Sequence, residues 1–530
     1  MTRLNLIKPL ISRCGSPVLL LSLLLATANG QTAGDLRGAQ RQFRGRPLTR
    51  PRVPDLQREF RGVWVATVAN IDWPSSSAIS TDQQKAELIR LLNTAKELNL
   101  NAVVFQIRPQ CDALYASTLE PWSEYLTGQM GKAPEPYYDS LEFAVAEAHA
   151  RGIELHAWFN PYRALHPSAK RPPSPDHISQ RRPDLAKPYG QQVWLDPGEK
   201  EVQDYSLSVV LDVVRRYDID GVHFDDYFYP YIEKDAAGQN IPFPDDPAWQ
   251  KYLAAGGTLS RADWRRQNVN SFVQQVYQKI KEVKPYVKFG ISPFGIWKPG
   301  NPPGIVGLSA YDEIYADSRK WLSEGWVDYL TPQLYWPIKP PAQSYTALLD
   351  WWLSQNLLRR HLWPGNAVYK ISNAAGSTFP ASELIDQIAA TRQRPGSTGN
   401  IHFSMIHFLN NRGGVTDALK SGAYAQPALV PATPWIDNFP PEAPGVTYTA
   451  GANPDETIIS WTAQGTEPAF WWLVYLKQGE TWKSIILPGA TMNYKVPQPN
   501  AGEPAVSLVA VSAVDRSGNE SQRTIISLSN

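Results

Sequence analysis

The chain has 530 residues and only two cysteines, Cys14 and Cys111. Cys14 lies in a segment that we expect to be removed, so Cys111 would then be alone and no internal disulfide could form. The fold must therefore be stabilised by its hydrophobic core. No histidine partner for a nucleophilic Cys111 is evident, and we expect a free, buried thiol.

The chain also lacks an excess of charge of either sign and, beyond its N-terminus, any long apolar run. The formal net charge is +1, so nothing indicates extensive nucleic-acid binding. Near the N-terminus, Arg3, Lys8 and Arg13 precede the apolar run Val18–Ala26, which is too short to span a bilayer. Small residues follow, so residues 1–28 resemble a secretory signal peptide. We expect a periplasmic or secreted cell-envelope protein with no transmembrane segment after cleavage; an uncleaved N-terminal anchor is the alternative.

Several motifs of common enzyme classes are missing. No G-x-S-x-G sequence occurs at a strand–helix junction, which argues against a serine hydrolase. A divalent metal site built from His156, His223, Asp225 and His402 is a rival reading, but no H-x-H pair occurs on any predicted strand and the histidines are scattered. We therefore predict neither a metal nor another cofactor.

What the chain does contain is an excess of aromatic residues, with 19 Trp and 24 Tyr. Many of them lie near predicted strand ends, where core packing alone does not require them. Trp and Tyr join a large apolar face to a polar group, and this combination suits the faces of sugars. The pattern favours a polysaccharide as the binding partner.

From Glu59 onward, strand and helix patterns alternate, which indicates a parallel α/β sheet. We count eight strand–helix units, with predicted strands at residues 60–68, 102–108, 153–159, 220–226, 287–293, 327–335, 361–369 and 399–408. Eight such units fit a (β/α)8 TIM barrel with long loops. A doubly wound open sheet is the alternative, and the absence of a glycine-rich phosphate turn after the first strand weakens it.

The segments on either side of the barrel differ from it in composition. Residues 29–57 are rich in Gly, Gln, Pro and Arg without periodicity, so we predict a disordered linker before a barrel at residues 58–436. A proline-rich joint opens the next segment, and short alternating stretches separated by turn residues follow it. Residues 437–530 are therefore predicted to form a small all-β, immunoglobulin-like sandwich. The stretch Val511–Ser521 resembles the end of a fibronectin type III domain.

The fourth predicted strand carries the strongest functional signal, DIDGVHFDDYFYPY at residues 218–231. Side chains alternate along a strand, so Val222 and Phe224 form an apolar face while His223 and Asp225 lie on the opposite, polar face. A barrel strand needs this arrangement, because its polar end opens into the active site. The tyrosines and phenylalanine that follow offer flat surfaces for stacking on sugar rings.

The same alternation on the other strands, together with the loops that follow them, predicts a polar cluster at the C-terminal ends of the barrel strands. Burying so many polar groups without a role would be costly. The predicted substrate-binding residues are Arg108, His156, Trp158, Asn160, Tyr162, Arg163, His223, Tyr227, Trp297, Gln333, Tyr335 and Trp336.

Glycoside hydrolysis fits this cluster and needs one ionised and one protonated carboxyl group. We predict that Asp225 is the ionised member, held in its charged form by His223 and Arg108. Asp226 and Asp317 are the first candidates for the acid. Asp226 would face away from the site on an unbroken strand, so its participation requires a kink.

Six segments in order resemble a known family: FRGVWVATVANIDWPS, NAVVFQIRPQCDALY, HAWFNPYR, GVHFDDYFYPY, GISPFGIW and VDYLTPQLYWPI. They are similar to the glycosyl-hydrolase-like (β/α)8 barrel family that includes the divisome-localized glycosidase DigH. The resemblance spans roughly residues 58–425. It implies a barrel fold, a cell-envelope location and cleavage of the glycan strands of bacterial peptidoglycan.

The sequence GVHFD also resembles the fourth-strand signature of amylase-type barrels, whose last Asp is the nucleophile, and this resemblance implies that role for Asp225. Amylase-type barrels carry a Glu acid at the end of the fifth strand, whereas this chain has GISPFG there. The acid is therefore not carried over. The resulting hypothesis is a glycosidase acting on a cell-envelope polysaccharide such as peptidoglycan; a non-catalytic glycan-binding protein is the alternative.

Overall fold

The computed structural model describes residues 52–374, 377–451 and 456–528. The predicted signal peptide and the linker up to residue 51 lie outside the described residues. The described residues from Val53 onward form one compact unit. Residues 53–57 were predicted to belong to the disordered linker, but Val53 is buried and packs with Leu429 and Trp471, so this part of the prediction is wrong.

Eight parallel strand positions form a closed ring within the described residues. They are β1 Phe60–Val65, β2 Ala102–Arg108, β3 Glu154–Phe159, β4 Gly221–Phe224, β5 Lys288–Ile291, β6 Tyr329–Leu330, β7 His361–Leu362 with Gly365–Ala367, and β8 Gly399–Phe403. Each strand pairs with the next, the two parts of β7 pair with β6 and β8, and β8 pairs with β1. The predicted (β/α)8 barrel is confirmed.

A helix follows each strand and covers the outside of the ring. These helices are α1 Thr81–Glu97, α2 Ser140–His149, α3 Lys200–Arg216, α4 Arg261–Val283, α5 Ser318–Ser323, α6 Tyr345–Gln355, α7 Ala381–Arg392 and α8 Val415–Ser421. Their apolar residues recur at helical spacing; on α3, Val202, Val209 and Val213 are fully buried. None of the helices in the described part of the chain is long and apolar enough to cross a bilayer.

A chain of buried polar groups crosses the interior of the barrel and forms the floor of the mouth. The Lys288 ammonium contacts Glu154 at 3.0 Å, and Glu154 Oε2 lies 3.0 Å from His156 Nε2. The Tyr329 hydroxyl joins His156 Nδ1 at 2.9 Å to His223 Nδ1 at 3.0 Å. Because each polar group has a partner, the strands can bury them at little cost.

Residues after the barrel form an antiparallel β-sandwich of two sheets. Its strands are β9 Gly445–Ala450, β10 Thr457–Thr462, β11 Trp471–Gln478, β12 Thr481–Pro488, β13 Asn493–Lys495, β14 Val506–Val514 and β15 Thr524–Ser527. One sheet has the order β9-β10-β13 and the other β12-β11-β14-β15. Trp461 and Trp472 pack between them, as alternating inward side chains of a sandwich do.

The sandwich contacts the barrel at the N-terminal ends of its strands. Asp218 and Asp220 precede β4, and Arg516 of the sandwich contacts them at 2.5 and 3.1 Å. The Arg516 guanidinium also lies over the rings of Tyr286 and Phe470, at 4.8 and 4.3 Å. The catalytic mouth of a barrel is at the opposite end, so these contacts leave it open.

Arg516→Met should weaken the attachment of the sandwich while keeping an apolar stem in place. Asp220 is only 4% exposed and would lose a cationic partner, keeping His149 at 2.8 Å. When a largely buried polar group loses one partner, the free energy of unfolding typically falls by about 1–3 kcal/mol. We expect a lower urea midpoint and faster proteolysis between residues 437 and 445. Lys483→Gln, on exposed sandwich surface, is the control, and an Arg516→Met protein that matches it would contradict this role.

Candidate active site

Two adjacent carboxylates lie at the mouth of the barrel because the fourth strand is short. β4 ends at Phe224, so Asp225 and Asp226 follow in irregular backbone. Both side chains line a cavity of about 410 Å³. Because the strand ends before Asp226, the alternation of side chains stops there, and the Asp226 side chain can also face the cavity. The cavity is lined by Trp64, Ala66, Val68, Ile71, Gln106, Trp158, Arg163, His166, Asp225, Asp226, Tyr227, Tyr231, Ser292, Phe294, Gln333, Tyr335, Tyr369 and Phe403.

Asp225 is held by a chain of hydrogen bonds whose direction is fixed at its far end. The backbone N–H groups of Thr67 and Val68 both donate to Gln106 Oε1 at 2.9 Å, so Gln106 must present its amide N–H to Asn160. Asn160 Oδ1 accepts from Gln106 Nε2 at 2.7 Å and from Arg163 Nη2 at 2.8 Å. Asn160 Nδ2 therefore donates to Asp225 Oδ2, at 2.5 Å.

Arg163 supplies the positive charge beside the two carboxylates. Its Nε donates to the Pro109 carbonyl at 3.0 Å, and its guanidinium lies 5.1 Å from the centre of the Tyr227 ring. This charge opposes the rise that burial causes in the pKa of both Asp225 and Asp226.

The two residues predicted to hold Asp225 ionised have other partners. Arg108 is buried in an ion pair with Glu120 at 2.5 Å and donates to the Asn160 carbonyl at 2.8 Å. His223 Nε2 accepts from Trp64 Nε1 at 3.2 Å. Because an indole N–H only donates, the His223 proton lies on Nδ1, and burial lowers the pKa of this imidazole. The prediction for this pair is corrected: Arg108 positions the Asn160 backbone, and His223 belongs to the floor.

The two carboxylates titrate as a coupled pair. Burial and then the charge of Asp226 raise the pKa of Asp225 to about 7, although Arg163 and Asn160 oppose the rise. Burial also raises the pKa of Asp226, but hydrogen bonds from Tyr231 and Gln333 favour its ionised form. The pair therefore retains a proton up to near neutral pH, and the hydrogen bonds that favour ionised Asp226 make Asp225 the favoured site for it.

The walls of the cavity are aromatic and contain one unsatisfied donor. Trp158 Nε1 is buried and has no hydrogen-bond partner in the described part of the chain. Buried polar groups without a partner are rare, and a ligand hydroxyl is one group that would satisfy this N–H. Tyr227, Tyr231, Tyr335 and Tyr369 line the same cavity. The cavity thus offers ring faces, a donor, a cation and two carboxylates.

The structure brings together part of the predicted site. Seven predicted residues line the cavity: Trp158, Arg163, Asp225, Asp226, Tyr227, Gln333 and Tyr335. Asn160 lies directly behind Asp225. Arg108, His156, Tyr162 and His223 are buried outside the lining, where they support the barrel mouth from below or behind.

Three further predicted residues, Asp317, Trp297 and Trp336, also lie outside the lining of the cavity. Asp317 precedes α5 and accepts a hydrogen bond from Trp297 Nε1 at 3.0 Å. Trp297 stacks on Trp351 at 5.9 Å. Trp336 lies behind the lining residue Phe294, at 5.6 Å. Asp317 is therefore not placed with the Asp225–Asp226 pair.

Sequence analysis did not include several lining residues among its predicted site residues, notably Trp64, His166 and Tyr369. Tyr231, one of the tyrosines expected to stack on sugar rings, does line the cavity. Trp64 lies on the inward face of β1 with Phe60, and the alternation rule applied to that strand would have found it. His166 and Tyr369 follow β3 and β7 in loops, for which periodicity gives no signal. Phe228 and Tyr229, expected to offer sugar-stacking faces, are instead fully buried.

A family model described as glycosyl hydrolase-like 10 matches residues 59–380. The chain belongs to the glycosyl hydrolase-like 10 family. It is 42% identical over 440 residues to glycosyl hydrolase YngK of Bacillus subtilis, covering 81% of this chain and 85% of that protein. It is 39% identical over 335 residues to glycosyl hydrolase DigH of Escherichia coli K12, covering 59% of this chain and 74% of that protein.

Among solved structures, the catalytic domain of β-amylase from Paenibacillus polymyxa is similar with a TM-score of 0.43 and 14% identity, covering 70% of this chain and 99% of that domain. A likeness this distant carries nothing about activity. Family membership places the chain among glycoside hydrolase-like enzymes, and the predicted family is confirmed.

Replacing Asp225 by Asn should stabilise the fold more at pH 8 than at pH 5. The folded-state pKa of Asp225, about 7, lies above its usual value of 3.8. The folded protein thus holds a proton that the unfolded chain loses between these values, and stability falls as pH rises through this window. Asn carries no charge to bury. At pH 8, Asp225→Asn should therefore raise the free energy of unfolding by on the order of 2 kcal/mol.

Urea unfolding of both proteins at pH 5 and pH 8 measures this difference. Asp317→Asn, which changes a carboxylate outside the cavity, is the matched control. A gain for Asp225→Asn that does not depend on pH would show that Asp225 is already ionised at pH 5.

Proposed function

We propose that this protein hydrolyses glycosidic bonds in a cell-envelope polysaccharide, specifically the glycan strands of peptidoglycan. The observation that supports this most is the pair of adjacent, buried carboxylates, Asp225 and Asp226, in an aromatic cavity. Glycoside hydrolysis requires this combination of an acid and a negative charge at the reacting sugar. Membership of a glycosyl hydrolase-like family agrees with the proposal.

In this proposal Asp225 is the acid, which reverses the role that the sequence suggested. Its Oδ2 accepts the short hydrogen bond from Asn160, whereas Oδ1 accepts a longer one from the Tyr227 N–H at 3.4 Å, so Oδ1 carries the proton and delivers it to the leaving-group oxygen as the glycosidic bond breaks. Asp226, which accepts the Tyr231 hydroxyl, stays ionised and stabilises the positive charge that develops on the sugar ring. Water then forms the new bond to the anomeric carbon and gives its proton to the Asp225 carboxylate, which restores the starting state. A group with a pKa of about 7 suits proton donation near neutral pH.

The choice of peptidoglycan rests on two further arguments. The first is the resemblance of six sequence segments to the family that includes DigH. The second is the N-terminal segment, whose basic start and apolar run are typical of a secretory signal and would bring the enzyme to the cell envelope. Within the cavity, Trp158 and the surrounding tyrosines would bind the sugar by a hydrogen bond and by ring contacts.

Asp225→Asn and Asp226→Asn should each reduce the release of new reducing ends from peptidoglycan glycan strands. Loss of a positioned general acid or of its charged partner typically costs 10²–10⁴ in rate. The control is Asp317→Asn, whose activity should match that of the wild type because Asp317 lies outside the cavity. Wild-type activity in Asp225→Asn would remove this residue from the mechanism, and binding without turnover by the wild type would favour a glycan-binding protein.

The pH dependence of kcat/KM gives a separate test of the assigned roles. Activity should fall above about pH 7, where Asp225 loses its proton. Tyr231→Phe removes a hydrogen bond that lowers the pKa of Asp226, so the acidic limb of the profile should move to higher pH while the alkaline limb changes little. Movement of the alkaline limb alone would contradict the assignment.

A further inference from the structure

We propose that the substrate groove continues from the cavity into a cationic arm that binds carboxylate groups of the polysaccharide; this rests on the proposed function. The cationic arm is a groove of about 420 Å³ that contains Lys132, Lys170 and Arg171.

The cavity and the cationic arm share a wall in the turn after β1. Val68 and Ile71 line the cavity, whereas Ala69 and Asn70, between them in sequence, line the arm. Asn70 fixes this turn, because its Nδ2 donates to the carbonyls of Pro74 and Tyr125, at 2.9 and 2.8 Å. A polymer lying across the turn would therefore contact both grooves.

A second connection runs through the loop after β3. His166 lines the cavity, and its Nδ1 lies 2.7 Å from Ser168 Oγ. Ser168 lines the arm together with Tyr125, whose hydroxyl lies 2.9 Å from the same Oγ. The two grooves are thus joined on both sides by residues in direct contact.

The positive charges of the cationic arm are not neutralised by ion pairs with other described residues. Lys132, Lys170 and Arg171 are exposed, and none of them forms an ion pair with any residue that the structure describes. The single acidic residue in the arm is Glu124, which is buried and accepts hydrogen bonds from Gln110 Nε2 and the Lys170 backbone, both at 3.2 Å. The arm therefore carries a surplus of two positive charges.

The arm does not end at these cations. A neighbouring shallow groove of about 450 Å³ shares Gln129, Lys132 and Arg171 with it and continues along Pro172, Pro173 and Pro175. The path from the carboxylate pair thus extends well beyond the room that one sugar needs. Such a path fits an extended chain that is cleaved internally.

The lining chemistry indicates which part of the polymer binds here. The cavity is rich in aromatic residues, but the arm contains Tyr125 alone among ring-bearing side chains and is otherwise polar. Sugar faces would gain little from such a surface, whereas carboxylates would find three cations and several hydroxyl and amide groups. Peptidoglycan offers carboxylates in two places, on the lactyl ethers of its muramic acid and on its peptide stems.

Binding of the full chain carrying Asp225→Asn, which leaves the ligand uncleaved, tests the proposal. The probes are glycan strands freed of peptides, intact strands with their peptide stems, and freed strands whose carboxylates have been converted to methylamides. The test variant adds Lys170→Gln and Arg171→Gln, and the matched control adds Lys483→Gln on the sandwich. Each exposed ion pair contributes modestly, so the double change should weaken binding of charged strands about two- to thirtyfold.

We expect the methylamide strands to bind the test variant and its parent equally, and the salt dependence of binding to fall only in the test variant. A larger loss with freed strands assigns the arm to lactyl carboxylates, and a larger loss with intact strands assigns it to the stems. An equal loss with methylamide strands, or no loss with any strand, would overturn the cationic arm. Because binding needs no turnover, failure of the wild type to cleave would refute the proposed function and leave this result standing.

Discussion

The site depends on one hydrogen-bond chain, which begins at the backbone of the loop after β1 and ends on a carboxylate after β4. Two backbone N–H groups fix the orientation of Gln106, Gln106 fixes Asn160, and Asn160 donates to Asp225. Backbone N–H groups cannot reverse their polarity, so each amide in the chain has a single permitted orientation. The closed barrel makes this possible because it brings the ends of β1 to β4 within bonding distance of one another.

Because the barrel is closed, its two ends have different roles: the sandwich binds at the N-terminal ends of the strands, and the cavity lies at their C-terminal ends. At the N-terminal ends of the strands, Arg516 of the sandwich contacts Asp218 and Asp220, which lead directly into β4. At the other end, Asp225 and Asp226 directly follow β4 and line the cavity. The sandwich thus anchors the strand that carries the carboxylates without covering them, and a long polymer can reach the mouth from outside.

The carboxylate pair destabilises the fold, and it is also the group that we propose carries out the reaction. Burial of the two acidic groups raises both pKa values, and the charge of Asp226 raises the pKa of Asp225 further. Arg163 and the surrounding donors reduce this cost without removing it. A protein that kept such a pair without a function would be less stable for no benefit, which is why the pair supports catalysis better than it supports a structural role.

The sequence predicted the features that follow from local periodicity. Eight strand–helix units, the inward face of β4 and the position of Asp225 all come from alternation along the chain, and the structure shows the barrel. Features that depend on where an element stops were harder to predict. β4 ends two residues earlier than the alternation suggested, at Phe224, and this early end admits Asp226 and directs Phe228 into the core.

The sequence also could not predict which charged side chains pair with each other. Arg108 and Arg163 are equally plausible cations in a linear reading, but only the folded chain shows that Glu120 neutralises Arg108. Packing likewise explains Val53, whose neighbours in the core lie more than 370 residues later in the sequence. The grooves beyond the cavity are formed by loops after different strands, and periodicity carries no information about them.

The central claim is that the pair of carboxylates shares one proton near neutral pH. Carbon-13 NMR titration of side-chain carboxyl groups, in protein labelled at aspartate, measures this most directly. The account predicts one carboxyl resonance that titrates near pH 7 in the wild type and is absent from Asp225→Asn. Completion of every aspartate titration below about pH 5 in the wild type would contradict it.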